Sequence, residues 1–166
     1  MKKIILAVMM LIGTSTAFAG DSEPLKAILK AQNYAEAANL VQSTLDQLAG
    51  NEEKAKAYNR LYELAMKKVN YEEGIQLENE TQKQMGKEGN KPVDEKGLYA
   101  AVGAAFNSGV EAIKYDNMPN QKGKVKPKYA ALVESVYKLR NDLINGGVYY
   151  QGKDDKMRSE EHTSEL

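Results

Sequence analysis

Few residues in this chain could do chemistry. Its only histidine, His162, falls in the polar stretch RSEEHTSEL at 158–166, and the chain has no cysteine and no tryptophan. Upstream of that stretch this excludes imidazole acid–base catalysis, thiolate nucleophiles, Ser-His-Asp triads and the usual zinc sites. Catalysis would have to come from Ser, Lys, Tyr, Asp or Glu. One pair has a catalytic spacing: Ser135 and Lys138, in SVYK, fit S-x-x-K. In that arrangement a lysine one helical turn on takes the serine's proton for acyl transfer. The companion S-D-N and K-T-G segments are absent, so the pair reads as part of an ordinary amphipathic helix. No pair of carboxylates is singled out by spacing for glycoside chemistry, which needs two of them facing across a cleft.

Binding features are easier to find. KGKVKPK at 122–128 places four lysines in seven residues, enough to meet an anionic glycan or lipid head group, although such runs are usually solvated loops. The chain has ten tyrosines against two phenylalanines, and Tyr99, Tyr115, Tyr129, Tyr137, Tyr149 and Tyr150 crowd its second half. Tyrosines give broad contact at low entropic cost when they line a groove; otherwise they pack between helices with the hydroxyl at the surface. The candidate partner-binding residues are Tyr99, Tyr115, Lys122, Lys124 and Lys126. Asn79-Glu80-Thr81 fits a glycosylation sequon, but it falls in a predicted helix and is set aside. No cofactor or metal site is expected.

The ends of the chain give it an address. Lys2 and Lys3 precede an apolar run, and Ala17-Phe18-Ala19 supplies the small-x-small pattern of signal peptidase. A helix over 4–18 would be roughly 22 Å long against a hydrocarbon core of about 30 Å. The expectation is a cleaved signal at 1–19 and a mature protein from Gly20. The product is then periplasmic or secreted, with no membrane span after cleavage. No cysteine follows the apolar run, so it is not a lipoprotein, and it forms no disulfides. Residues 158–166 resemble the in-frame translation of a common sequencing adapter, which makes them a non-native tail on a body at 20–157 that stops short. Removing Lys2, Lys3 and Arg158 with Glu160, Glu161 and Glu165 leaves that body neutral. Nothing in its charge suggests a nucleic-acid partner.

These residues must be positioned by helices. Ser22 and Pro24 open one whose Leu25, Ile28 and Leu29 share a face. Asn33 breaks it, a second helix runs over 34–48, and Gly50 ends that one, with Asn51 capping the next. Asn70 is the next expected break, and 71–85 the next helix. A loop at 86–92 follows, then a helix capped by Asp94 and reaching Lys114. After a loop at 115–127, a last helix starts near Lys128, with Leu132, Val133, Val136, Tyr137, Leu143 and Ile144 inward. GVYY at 147–150 is the only strand candidate. The fold class is all-α.

Two of the breaks look alike: NYAEA from Asn33 and NYEEG from Asn70, 37 residues apart. A helix pair recurring at about 34 residues marks a helical solenoid. Tyr34 with Ala37, and Tyr71 with Gly74, resemble the turn of the tetratricopeptide repeat. There an aromatic followed by a small residue lets the second helix pack close on the first. Gly146, Tyr149 and Gly152 resemble the first helix of a further repeat, with a turn near Asp155 and a second helix from about Met157. The chain also resembles exported bacterial tetratricopeptide-repeat proteins. The resemblance implies a helix-turn-helix array, an α-solenoid fragment, acting as a non-enzymatic scaffold for a protein or peptide partner. The alternative is an envelope glycan-binding accessory or a carboxylate-based glycan enzyme.

Overall fold

A computed structural model describes residues 20–164, with side chains through Asp154. The signal expected at 1–19 and the side chains of the tail expected at 158–166 lie outside the described residues. α1 (Glu23–Lys30) starts as its sequence dictates: Ser22 caps it by accepting from the Leu25 N–H at 3.4 Å, and Pro24 occupies the first turn. Asn33 then caps α2 (Tyr34–Thr44), its Oδ1 accepting from the Glu36 N–H at 2.9 Å. Leu25, Ile28, Ala37 and Val41 from this pair join Leu61 and Leu64 of the third helix in one core cluster. Tyr34 packs against that cluster and Ala37 is wholly buried, so the first Tyr/Ala turn brings two helices together as its spacing predicts.

α2 ends earlier than expected, tightening into a 3₁₀ turn at Leu45–Gln47. Gly50 adopts φ 93°, a left-handed conformation that favours glycine, and leads into α3 (Asn51–Gln84). Asn51 is not the cap: it is the first helical residue, and its amide donates to the Pro119 carbonyl at 2.9 Å. Glu53 organises this helix end instead. Its carboxylate accepts from the Ser22 N–H (2.7 Å), the Ser22 hydroxyl (2.6 Å) and the Ala49 N–H (2.7 Å). One side chain thereby ties the start of α1 to the start of α3.

The larger departure is at Asn70. α3 runs unbroken through NYEEG, so the second expected inter-helix turn does not form. Burial on both sides of Asn70 explains this. Val69 is fully buried against Leu98 and Val102, and Glu72 is 2% exposed. A turn here would pull both out of place. Tyr71, by contrast, is 65% exposed, and Gly74 has nothing within 4 Å of where a Cβ would lie. Asn tolerates a helix interior at a cost of only about 0.7 kcal/mol relative to Ala, which packing readily overrides.

α4 (Glu95–Asp116) begins at its expected cap, Asp94 accepting from the Gly97 N–H at 2.8 Å. It runs antiparallel along α3: Glu72 meets Asp94 at one end and Tyr58 meets Tyr115 at the other. Leu98, Val102 and Ala105 are buried. The last expected helix is two. α5 (Leu132–Lys138) starts later than Lys128 because Asp116 takes the Lys128 and Tyr129 N–H groups, at 2.8 and 2.7 Å. Buried Leu139 then separates α5 from α6 (Arg140–Ser164). GVYY is helical rather than a strand, and α6 continues without the turn expected near Asp155. Among the described residues there is no strand, and the fold is all-α.

Candidate functional site

The five residues singled out by sequence do not form one site. Tyr99 and Tyr115 occupy opposite ends of α4, about 24 Å apart along the helix axis at 1.5 Å per residue. Tyr115 is stacked on Tyr58, with centroids 5.6 Å apart and planes 10° from parallel. Lys54 and Lys114 lie 5.6 and 5.4 Å from its centroid. Its ring is therefore committed to packing and to cation–π contacts. Burial, then the fields of Tyr115 and Glu111, hold the Tyr58 phenol above its ordinary pKa.

Tyr99 belongs to a second aromatic cluster, where α6 crosses the start of α4. Its ring is 5.2 Å from Tyr149, which meets Tyr150 edge-on at 5.3 Å, and Lys153 lies 5.4 Å from the Tyr149 centroid. Gly146 makes this crossing possible, since a Cβ there would come within 3.2 Å of the Tyr99 ring. Two carboxylates lie nearby. Burial and then the charge of Asp142 raise Glu73 above the usual carboxylate range. Neither acid lines either cavity described below.

The lysine loop divides. Lys122 and Lys126 line a polar cleft of about 610 Å³ between residues 120–128 and the N-terminal end of α3; Lys124 does not. The cause is a closed turn at Asn120, whose Oδ1 accepts from the Lys122 N–H (2.9 Å) and the Lys124 N–H (3.0 Å). Gly123, at φ 70°, sits at its apex. The turn is pinned to the body by Gln121 donating to the Ala49 carbonyl at 3.1 Å and by Asn51 donating to that of Pro119.

The S-x-x-K pair is not assembled for acyl transfer. Lys138 pairs with Glu134 at 2.8 Å, while Ser135 leans on the Ala131 carbonyl at 3.4 Å. The sequon asparagine, Asn79, is occupied too, bonding the backbone of Lys91 through both its amide nitrogen (2.8 Å) and its oxygen (2.9 Å).

Sequence reasoning missed an apolar groove of about 550 Å³, lined by Phe106, Val136, Tyr137, Arg140, Leu143 and Ile144. Tyr137 and Ile144 in its lining are more than half exposed, as are Val133 and Val148, one helical turn from them on α5 and α6. Val133, Tyr137 and Ile144 are all expected from the sequence to face inward. The break at Leu139 and the packing of Val136 against Ala112 and Leu132 leave them outside instead. The signal was present in the spacing, since 133/137 and 144/148 are i, i+4 pairs; 133, 137 and 144 read as a core face, and 148 as part of the strand candidate, because apolar periodicity does not say what covers it.

Among the described residues no helix is long and apolar enough to cross a membrane, and a chain without cysteine forms no disulfides. Comparison with protein-family models, curated proteins and solved structures finds no match in any of the three.

Proposed function

We propose that this chain is an exported, non-enzymatic helical scaffold of tetratricopeptide-like character, and that its α4–α6 groove holds an amphipathic helix of a protein or peptide partner. The observation that carries this reading is the exposed apolar lining of the groove, Tyr137 and Ile144, with exposed Val133 and Val148 one helical turn from them. An exposed apolar run of this kind is a usual mark of an interaction surface. Grooves between helices suit a helix whose anchors recur at i, i+3 or i+4, and i+7. Covering four such half-exposed side chains would supply roughly 4–7 kcal/mol at the usual 1.5–3 per fully buried residue. Association itself costs about 4 kcal/mol or more, so the partner must also fill the floor at Phe106 and Leu143. The helix pairing at Tyr34/Ala37 supports the repeat-like character, and the N-terminal segment supports export.

The test is a helical peptide selected from a display library against the purified chain, with affinity measured by titration calorimetry. Replacing Tyr137 and Ile144 by Ser, which leaves exposed positions polar, is expected to weaken binding at least tenfold without altering the helical circular dichroism. Undiminished affinity would place the partner elsewhere. Export is tested separately: the protein recovered outside the cytoplasm is expected to begin at Gly20, and recovery with Met1 intact would overturn it.

A further inference from the structure

The polar cleft has a chemistry distinct from the groove, and we infer that it is a binding site for an acidic peptide segment. Four lysines line it: Lys56, Lys122, Lys126 and Lys128. Lys56 is paired with Asp21, and Lys128 reaches Glu52 only at 3.9 Å. Lys122 and Lys126 form no ion pair among the described residues. Glu53 is no competitor for them, because its oxygens already accept from Ser22 and Ala49. Two cations without an ion-pair partner thus face a cleft whose lining carries four lysines against Asp21, Glu52 and Glu53, a net charge of +1.

The loop carrying them is held in place. Asp116, itself buried, grips the Lys128 and Tyr129 N–H groups, and the Asn120 turn is fastened to α3 through Asn51 and Gln121. Lysines on an anchored loop lose less entropy on meeting a ligand than lysines on a free one.

The remaining lining favours a peptide over other polyanions. Among the described residues no aromatic side chain lines the cleft, so they offer no platform for sugar rings or bases. Asn51, Asn120 and Gln121 supply side-chain amides of the kind that pair with peptide backbone.

This inference stands apart from the groove reading, and its experiment separates the two. A fluorescent glutamate-rich decapeptide is titrated into the purified chain at low salt and again at 0.5 M salt. Binding is expected at low salt and is expected to be lost at high salt, where exposed charges are screened. K122Q/K126Q is expected to weaken it about two- to thirtyfold, the sum of two exposed ion pairs. K124Q changes it less than twofold, and Y137S/I144S leaves it unchanged. No binding at low salt overturns the proposal. So does an equal loss in K124Q, which would mean undirected loop charge. Tighter binding of a sulfated polysaccharide, abolished by the same K122Q/K126Q change, would assign the cleft to an anionic glycan instead.

Discussion

Glu72→Ala should be among the most damaging single changes to the α3–α4 pair. Glu72 lies two residues beyond the expected break at Asn70 and is 2% exposed. One oxygen accepts from Lys68 at 2.5 Å, the other from the backbone N–H of Asp94 at 2.9 Å. Lys68 also reaches Asp94 at 2.9 Å, and Asp94 caps α4. E72A orphans the Asp94 N–H at a part-buried helix end, which costs about 1–3 kcal/mol. It also removes a buried methylene, worth about 0.8 kcal/mol. Lys68, with its side chain 39% exposed, recovers hydration, so its unpairing adds little. The expected loss is about 2–4 kcal/mol in urea unfolding at unchanged slope. E72Q keeps an acceptor for Asp94 and should lose less than half as much.

The clamp also has a pH signature. The Lys68 ammonium first, and the Asp94 N–H second, hold Glu72 below the ordinary carboxylate value of 4.5. Asp94 is lowered from 3.8 by the Gly97 N–H and then by Lys68. A lowered folded pKa gives stability that is present above the unfolded value and lost as pH falls through the folded one. Wild type should therefore lose stability below about pH 4.5 more steeply than E72Q. An E72A protein within 0.5 kcal/mol of wild type, or E72Q as unstable as E72A, would refute this account of the clamp.

Four further outcomes follow from the same packing. G109A should destabilise by about 1–3 kcal/mol, because a Cβ there overlaps Val136 and lies 3.2 Å from Tyr62. G74A, in open helix, should stabilise by about 0.5–1 kcal/mol, and both are read from thermal melts. A double-mutant cycle of Y58A and Y115A should show a coupling of about 0.5–1.5 kcal/mol for the stacked pair, and additivity would dissolve the stack. D116A should free the 117–131 loop, seen as faster amide exchange at Lys128 and Tyr129, whereas D116N should keep most of the protection.

The parts of this fold that could be read from sequence are those fixed by neighbours in the chain. The caps at Ser22, Asn33 and Asp94 each bond a backbone N–H three residues on, so short motifs reveal them. Elements decided by distant packing were hidden. Asn70 and Tyr71 look like a turn until Val69 and Glu72 are seen buried against residues more than twenty positions away. The same holds for the α5–α6 break, set where Leu139 packs on Ala65 and Ala105. For the candidate sites, residue type was informative and geometry was not. Lys122, Lys124 and Lys126 are equivalent in sequence, yet the Asn120 turn sends only the outer two into the cleft. Tyr115 looked free and is stacked, while Tyr137 looked buried and is 68% exposed.

The scaffold reading is tested most directly by mapping amide chemical shifts while a selected helical peptide is titrated into the isotopically labelled chain. The largest changes are expected at Phe106, Val136, Tyr137, Leu143 and Ile144, with residues 23–44 of the first helix pair unmoved. Changes confined to that first pair, or saturable binding that leaves Tyr137 and Ile144 undisturbed, would contradict it.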